Sequence, residues 1–206
     1  MVYYYSLSTA PNFRCYVGKD KYENEELLQV GWNEDVWFHV DDYSSAHAYL
    51  RLPADLSWEN ISEDILQEVG HLVKLNSITG NKLSEVIVIY TPFPNLKKEA
   101  NAAVGAVTFH DRSKVKKVRI QGRRKDLTNV MMKTRTEELD IRVLRQAKLD
   151  NEALQLKLAK DAAKQVRHEE LVRREEEKRL AEERSYSSLM SNIEPERQVI
   201  DEDDFM

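Results

Sequence analysis

The chain has 206 residues, of which 33% are charged, with a mean hydropathy of −0.62 and a formal net charge of −5. That length holds one domain and an appendage, and the polarity is too high for a single packed globule throughout. A lone cysteine, Cys15, excludes an intramolecular disulfide and a cysteine-rich zinc site. No run approaches the roughly 20 apolar residues of a membrane helix, and the opening MVYYYSLSTA lacks the basic start of a secretory leader. A cytoplasmic protein without an integral membrane segment is expected.

Along the chain, VYYYSLS, FRCYVG, DVWFHVD, AHAYLRL, SEVIVIYT, GAVTFHD and KVKKVRI are short β-branched and aromatic runs ended by Gly, Pro, Asn or Asp. They read as strands. Two helical stretches interrupt them. The first follows Asn24, whose side chain is suited to cap the start of EELLQV. The second runs from Ser62 to about Ile78, places Ile65, Leu66, Val69, Leu72, Val73 and Leu75 on one face, and stops at Gly80. This pattern predicts an α+β domain over residues 1–120, a mainly antiparallel sheet with helices on one face.

A different composition begins near Arg112. Between Arg112 and Arg135, ten Lys or Arg stand against one acid, Asp126. Lys116, Lys117, Arg119, Arg123, Arg124 and Lys125 belong to this run, which suits a polyanion, because each cation that meets a phosphate releases a counterion. From Thr136 to Arg184 no Pro or Gly occurs, and helix formers dominate. Residues 121–184 thus read as a basic junction and a long charged helix. Its leucines recur too irregularly for sustained heptads, which leaves a coiled coil open. Residues 185–206 read as a disordered acidic tail, with Tyr186, Leu189 and Met190 as a short apolar motif for a protein partner.

The segment Asp35–Leu52, DVWFHVDDYSSAHAYLRL, concentrates the chemistry. Side chains alternate across a strand, so Val36, Phe38 and Val40 face the core while Asp35, Trp37, His39 and Asp41 face the other way. In the next strand Ala46, Ala48, Leu50 and Leu52 face one side and Ser45, His47, Tyr49 and Arg51 the other. A hairpin around YSSA gathers Trp37, His39, His47 and Arg51 on one surface. Two histidines and a carboxylate fall short of a defensible zinc spacing. An acid–base pair lacks a nucleophile and an oxyanion loop beside it, and plain structural hydrogen bonding within the sheet is the bland alternative. An aromatic plane with imidazoles and a guanidinium favours recognition of bases and sugars.

Two lysine-bearing loops add to this surface. VGKDKYENEELL carries Lys19 and Lys21 just before a helix start whose amides suit an anion, although GxxxxGK[ST] is absent and nucleotide hydrolysis is not supported. YTPFPNLKKEA carries Lys97 and Lys98 after a proline-rich turn.

The order of YVGKDKYENEELL, DVWFHVDDYSSAHAYLRL and VIVIYTPFPNLKKEANAAVGAV resembles the NFACT-R domain shared by ribosome-associated quality-control factors, over about Val2 to Ile120. The family's D-x-W-F-H segment falls on Asp35, Trp37, Phe38 and His39, its S-x-H element on Ser45 and His47, and its lysine pair on Lys97 and Lys98. Where quality-control members carry Pro-Gly before that S-x-H element, this chain has Tyr43-Ser44-Ser45, which loosens the hairpin turn. The resemblance implies a nucleic-acid-binding module, with RNA at the ribosome for the larger family members. With the residue readings above, a non-enzymatic protein without cofactor or metal is expected, for RNA before DNA. The alternatives are an adaptor acting through the helix and SYSSLM, or a DNA-binding module of the same fold.

Overall fold

The computed structural model describes residues 1–138 and 141–191, and the side chains of residues 1–137 and 141–186. The strands are β1 (Val2–Ser6), β2 (Arg14–Gly18), β3 (Asp35–Val40), β4 (Ala48–Arg51), β5 (Glu85–Pro92), β6 (Leu96–Lys97), β7 (Thr108–Phe109), β8 (Lys116–Gln121) and β9 (Thr136–Glu138). The α-helices are α1 (Lys21–Val30), α2 (Glu63–Leu75), α3 (Lys125–Lys133) and α4 (Ile141–Ser191). Each of the seven strand runs read from the sequence holds a strand. Seven strands form one sheet in the order β8-β5-β3-β4-β2-β1-β9, and β6 pairs with β7 in a small ribbon. Every pairing is antiparallel. The protein is therefore α+β, as expected.

One sheet face is built as the two-residue period demands. Val36, Phe38, Val40, Ala48 and Leu50 pack against Leu66, Val69, Leu72 and Val73 of α2 and against Met131 of α3. Burying each large apolar side chain contributes about 1.5–3 kcal/mol. Gly70 lets α2 approach the sheet: a methyl group there would overlap Ile120 Cδ1. Ser62 occupies the helix start without a side-chain cap, and Asn76, not Gly80, ends α2.

The second face departs from the expectation of a sheet with helices on one side only. Leu27 and Val30 of α1 pack on Val2, Tyr16, Trp37, Tyr49 and Ile89. Phe93, Val107, Phe109, Val115, Ile141 and Leu144 complete the cover. An aromatic row of this size requires burial, and the long segment between β5 and β8 supplies it. α1 begins earlier than predicted. Asp20 caps it, accepting from the amides of Tyr22 at 2.9 Å and Glu23 at 3.0 Å, while Asn24 is buried within the helix.

The chain divides into two compact units, Met1–Asp150 and Asn151–Met206. The first extends past residue 120, because α3 contributes Met131 to the core and β9 pairs with β1. In the second, α4 runs to Ser191, so residues 185–191 are helical where the sequence suggested the start of a disordered tail. Its side chains are exposed from Glu152 to Tyr186. The predicted tail beyond Ser191, and the side chains of Leu189 and Met190, lie outside the described residues. Among the described residues no helix is long and apolar enough to cross a membrane.

Candidate nucleic-acid interface

The β3–β4 register pairs Asp35 with Arg51, Trp37 with Tyr49 and Phe38 with Ala48. It puts Trp37, His47 and Tyr49 on the second face, beneath α1. Tyr49 OH donates to Asn24 Oδ1 at 2.8 Å. Asn24 Nδ2 and Trp37 Nε1 both lie 2.9 Å from His47 Nδ1. An indole N–H can only donate, so Nδ1 is the acceptor and the imidazole proton sits on Nε2. Burial lowers the His47 pKa to about 3, helped by His39 and Lys98. His39 is also pushed down, again chiefly by burial. Its ring stacks on Trp37 at 5.5 Å and meets His47 edge-on at 4.9 Å. Near neutral pH this pair is uncharged and offers N–H donors and ring faces.

These rings border a groove of about 560 Å³ at the end of the sheet where β2 stops and α1 starts, with Lys19, Lys21, His39, Ser45, His47 and Arg135 among its walls. Five of the residues predicted from sequence thus converge. The loop carrying Ser45 is fixed rather than loose. Ser45 Oγ accepts from the Val40 amide at 3.0 Å, Ser77 Oγ donates to Ser44 O at 2.7 Å, and Asp42 takes the left-handed conformation at φ 58°. The α1 amides expected to receive an anion are already engaged by Asp20. The lysines, not the helix start, give this groove its positive charge.

Other predicted residues serve the fold. Asp35 is fully buried, Trp37 is 2% exposed, and neither belongs to an open reading surface. The Asp35 carboxylate accepts from Arg51 Nε at 2.9 Å, Arg51 Nη2 at 3.1 Å, Tyr16 OH at 2.5 Å and the Trp32 amide at 2.7 Å. The Arg51 guanidinium lies 3.7 Å from the Trp32 ring centroid, away from the groove. Lys98 Nζ binds Glu25 Oε2 and the carbonyls of Ala103 and Ala106, tying the loop before β7 to α1. Lys97 is exposed on β6.

The basic run is spread over several surroundings. Lys116 lies over the Trp58 ring, Lys117 pairs with Asp41 at 2.6 Å and Arg119 with Glu85 at 3.7 Å. Arg123 donates to Asn81 O, Arg124 pairs with Asp126 at 2.7 Å, and Lys125 is exposed at the start of α3. Tyr186 is exposed on α4. Among the described residues, no three His, Cys, Asp or Glu side chains converge to hold a metal ion. Sequence reasoning read Asn24 only as a helix cap and Arg135 only as the end of the basic run. Arg135 carried no signal separating it from neighbouring cations, because its place depends on β9 pairing with β1.

Comparison with known proteins gives a family match and full-length relatives. Residues 1–111 match the NFACT-R family model, described as the NFACT protein RNA binding domain. Coiled-coil domain-containing protein 25 of Bos taurus is 40% identical, with 100% of both chains covered. The Dictyostelium discoideum homologue of that protein is 47% identical over 68% of each chain. Protein JLP2 of Saccharomyces cerevisiae is 34% identical, covering 66% of this chain and 69% of its own. Among solved structures, the C-terminal part of the fibronectin/fibrinogen-binding protein from Streptococcus suis aligns with a TM-score of 0.52 at 19% identity. That alignment covers 62% of this chain and 48% of the other, and it speaks to the fold alone.

Proposed function

Because this chain belongs to the NFACT-R family, we propose that it is a non-enzymatic RNA-binding protein that takes single-stranded RNA into the groove beside His39 and His47. One observation carries the reading: Lys19, Lys21 and Arg135 surround two neutral imidazoles and the Ser45 loop in a single cavity. Cations hold phosphates without reading sequence, while neutral N–H groups and rings suit bases and ribose. His47 Nδ1 accepts from Trp37, which supports recognition over proton transfer. RNA in preference to DNA, the ribosome as its location and the cytoplasm as compartment rest on the family resemblance.

Anisotropy titration of the full chain with single-stranded RNA and duplex DNA at two salt concentrations tests this. RNA is expected to bind more tightly, with log affinity falling against log salt by about 0.7 per phosphate contacted. The K19A/K21A/R135A variant is expected to weaken binding at least about tenfold, since charge-assisted contacts are lost. Absence of binding to either nucleic acid at low salt ends the reading.

A second reading, a protein adaptor, is favoured by Leu154, Leu158, Leu171, Leu180 and Tyr186, all exposed on α4. A chain cut after Asp150 separates the two, because an adaptor loses its partner there while RNA binding stays. A cut at Thr136 would instead remove β9 and the Ile141 and Leu144 cover from the first unit.

A further inference from the structure

A second cavity, of about 430 Å³, opens between α2 and α3. Lys74, Arg123, Arg124 and Lys125 are among its lining residues, and no Asp or Glu is. His71 is 4% exposed and borders this space, and, unlike Trp32 Nε1, its ring nitrogens are not among the buried side-chain atoms without a hydrogen-bond partner. Burial, Lys74 and Arg124 all lower its pKa, so near neutral pH the ring is neutral and keeps one N–H to donate.

Lys74 is likewise almost fully covered, at 2% exposure. Its ammonium donates to Ser84 O at 3.2 Å and Gly122 O at 2.7 Å, which leaves one of its three N–H groups over. Arg123 spends two donors on Asn81 O and has three left. Arg124 is held by Asp126, but that pair is exposed on both sides and yields readily to a stronger acceptor. α3 starts here without a side-chain cap, which adds a modest positive end, partly offset by Asp126 in its first turn.

We infer that this cavity is a phosphate-binding site, in which His71, Lys74, Arg123, Arg124 and Lys125 take one phosphate group of a bound RNA. The inference rests on the RNA-binding reading and adds a second contact to it. Met132 borders both this cavity and the groove beside His39 and His47, so the two adjoin. The chemistry is shared by an internal phosphodiester and a terminal monoester. Four cations without a lining acid suit the higher charge of the monoester equally well.

The test uses the full chain, with the His71 ring followed by NMR. Inorganic phosphate and a single-stranded RNA are both expected to shift the His71 ring resonances, because a nearby anion stabilises the protonated imidazole. The R123A/R124A/K125A variant, altered only at exposed side chains, is expected to bind RNA about tenfold more weakly and to lower the salt slope by about 0.7 for the phosphate lost. A 5′-phosphorylated RNA that binds more tightly than its 5′-hydroxyl counterpart, and only while the three cations are intact, marks the terminal group as the ligand. Equal binding of the two, with the triple variant still weakened, marks an internal phosphate. His71 resonances unmoved by phosphate and by RNA, or a triple variant with full RNA affinity, overturn the inference. If that variant keeps its affinity while K19A/K21A/R135A loses it, the groove stands and only the second site falls.

Discussion

The two faces of the sheet bury their side chains by opposite chemistry, and the α2 face holds the larger apolar cluster. Against α2 the interior is apolar, and its fully buried carboxylate, Glu68, sits at the margin. Glu68 accepts from the amides and hydroxyls of Ser8 and Thr9, four neutral donors at 2.6–3.1 Å. Against α1 the interior carries a polar network of Asn24, Asp35, His47, Tyr16 and Tyr49, and its carboxylate is matched by a cation, Arg51. Non-directional packing fixes the first face, whereas directional bonds fix the second and therefore the position of its exposed margin. That margin is where His39 and His47 meet the groove. A recognition surface gains from such rigidity, since rings and donors held in place lose little freedom on binding.

Breaking the carboxylates separates the two designs most strongly. Asp35→Ala leaves a guanidinium that is 18% exposed without its partner, and removing one member of a buried pair costs about 3–5 kcal/mol. Glu68→Gln keeps an acceptor for the same loop and strands no cation, so about 1–3 kcal/mol is expected. Urea unfolding followed by far-ultraviolet circular dichroism compares them. Equal losses would mean that the Arg51 pairing contributes nothing beyond ordinary hydrogen bonding.

The second face is also the one that responds to pH. The His47 pKa is about 3 in the folded protein against an ordinary value of 6.5. Between those values the unfolded chain binds a proton that the folded chain does not, so stability rises with pH. The contribution is complete above about pH 6.5 and declines as pH falls toward about 3, by up to about 1.4 kcal/mol per unit for one proton. His39 is shifted in the same direction. His47→Gln offers Trp37 and Asn24 an acceptor that does not titrate. Its urea midpoint is expected to fall less than that of the parent chain between pH 7 and pH 5. Parallel midpoints in the two proteins would remove His47 as the titrating group.

Legibility in the sequence follows the same division. The alternation of Val36, Phe38 and Val40, and the helical period of Ile65 to Val73, identified the α2 face, because burial on one side leaves a clean period. The opposite row, Trp37, His39, His47 and Arg51, also has that period, yet a polar row looks alike whether it meets water or an internal network. What covers it comes from residues 93–115 and 141–144, far off in the chain. Their arrival is a tertiary fact that no local window carries. The groove was half legible: Lys19, Lys21, Ser45 and both histidines were chosen, whereas His71 and Lys74 looked like ordinary positions on a helix. α3 was hidden within a basic run whose charge masked its period, and β9 stands at the head of the stretch read as a long charged helix.

The smallest effect belongs to α4, whose early and later turns differ in burial. Leu144 is partly covered on the second face, so Leu144→Ala is expected to cost about 1–2 kcal/mol, the low end for a core leucine. Leu154 and Leu158 are 53% and 54% exposed, and changing both to Ala is expected to shift the unfolding of Met1–Asp150 by less than about 0.5 kcal/mol. Alanine is the better helix former, so the helix itself loses nothing by the exchange. A larger loss that grows with protein concentration would show that these leucines pack against another copy of α4, because only an associating species gains stability by mass action. Sedimentation of the double variant beside the parent chain distinguishes that outcome from an isolated helix, for which the two profiles coincide.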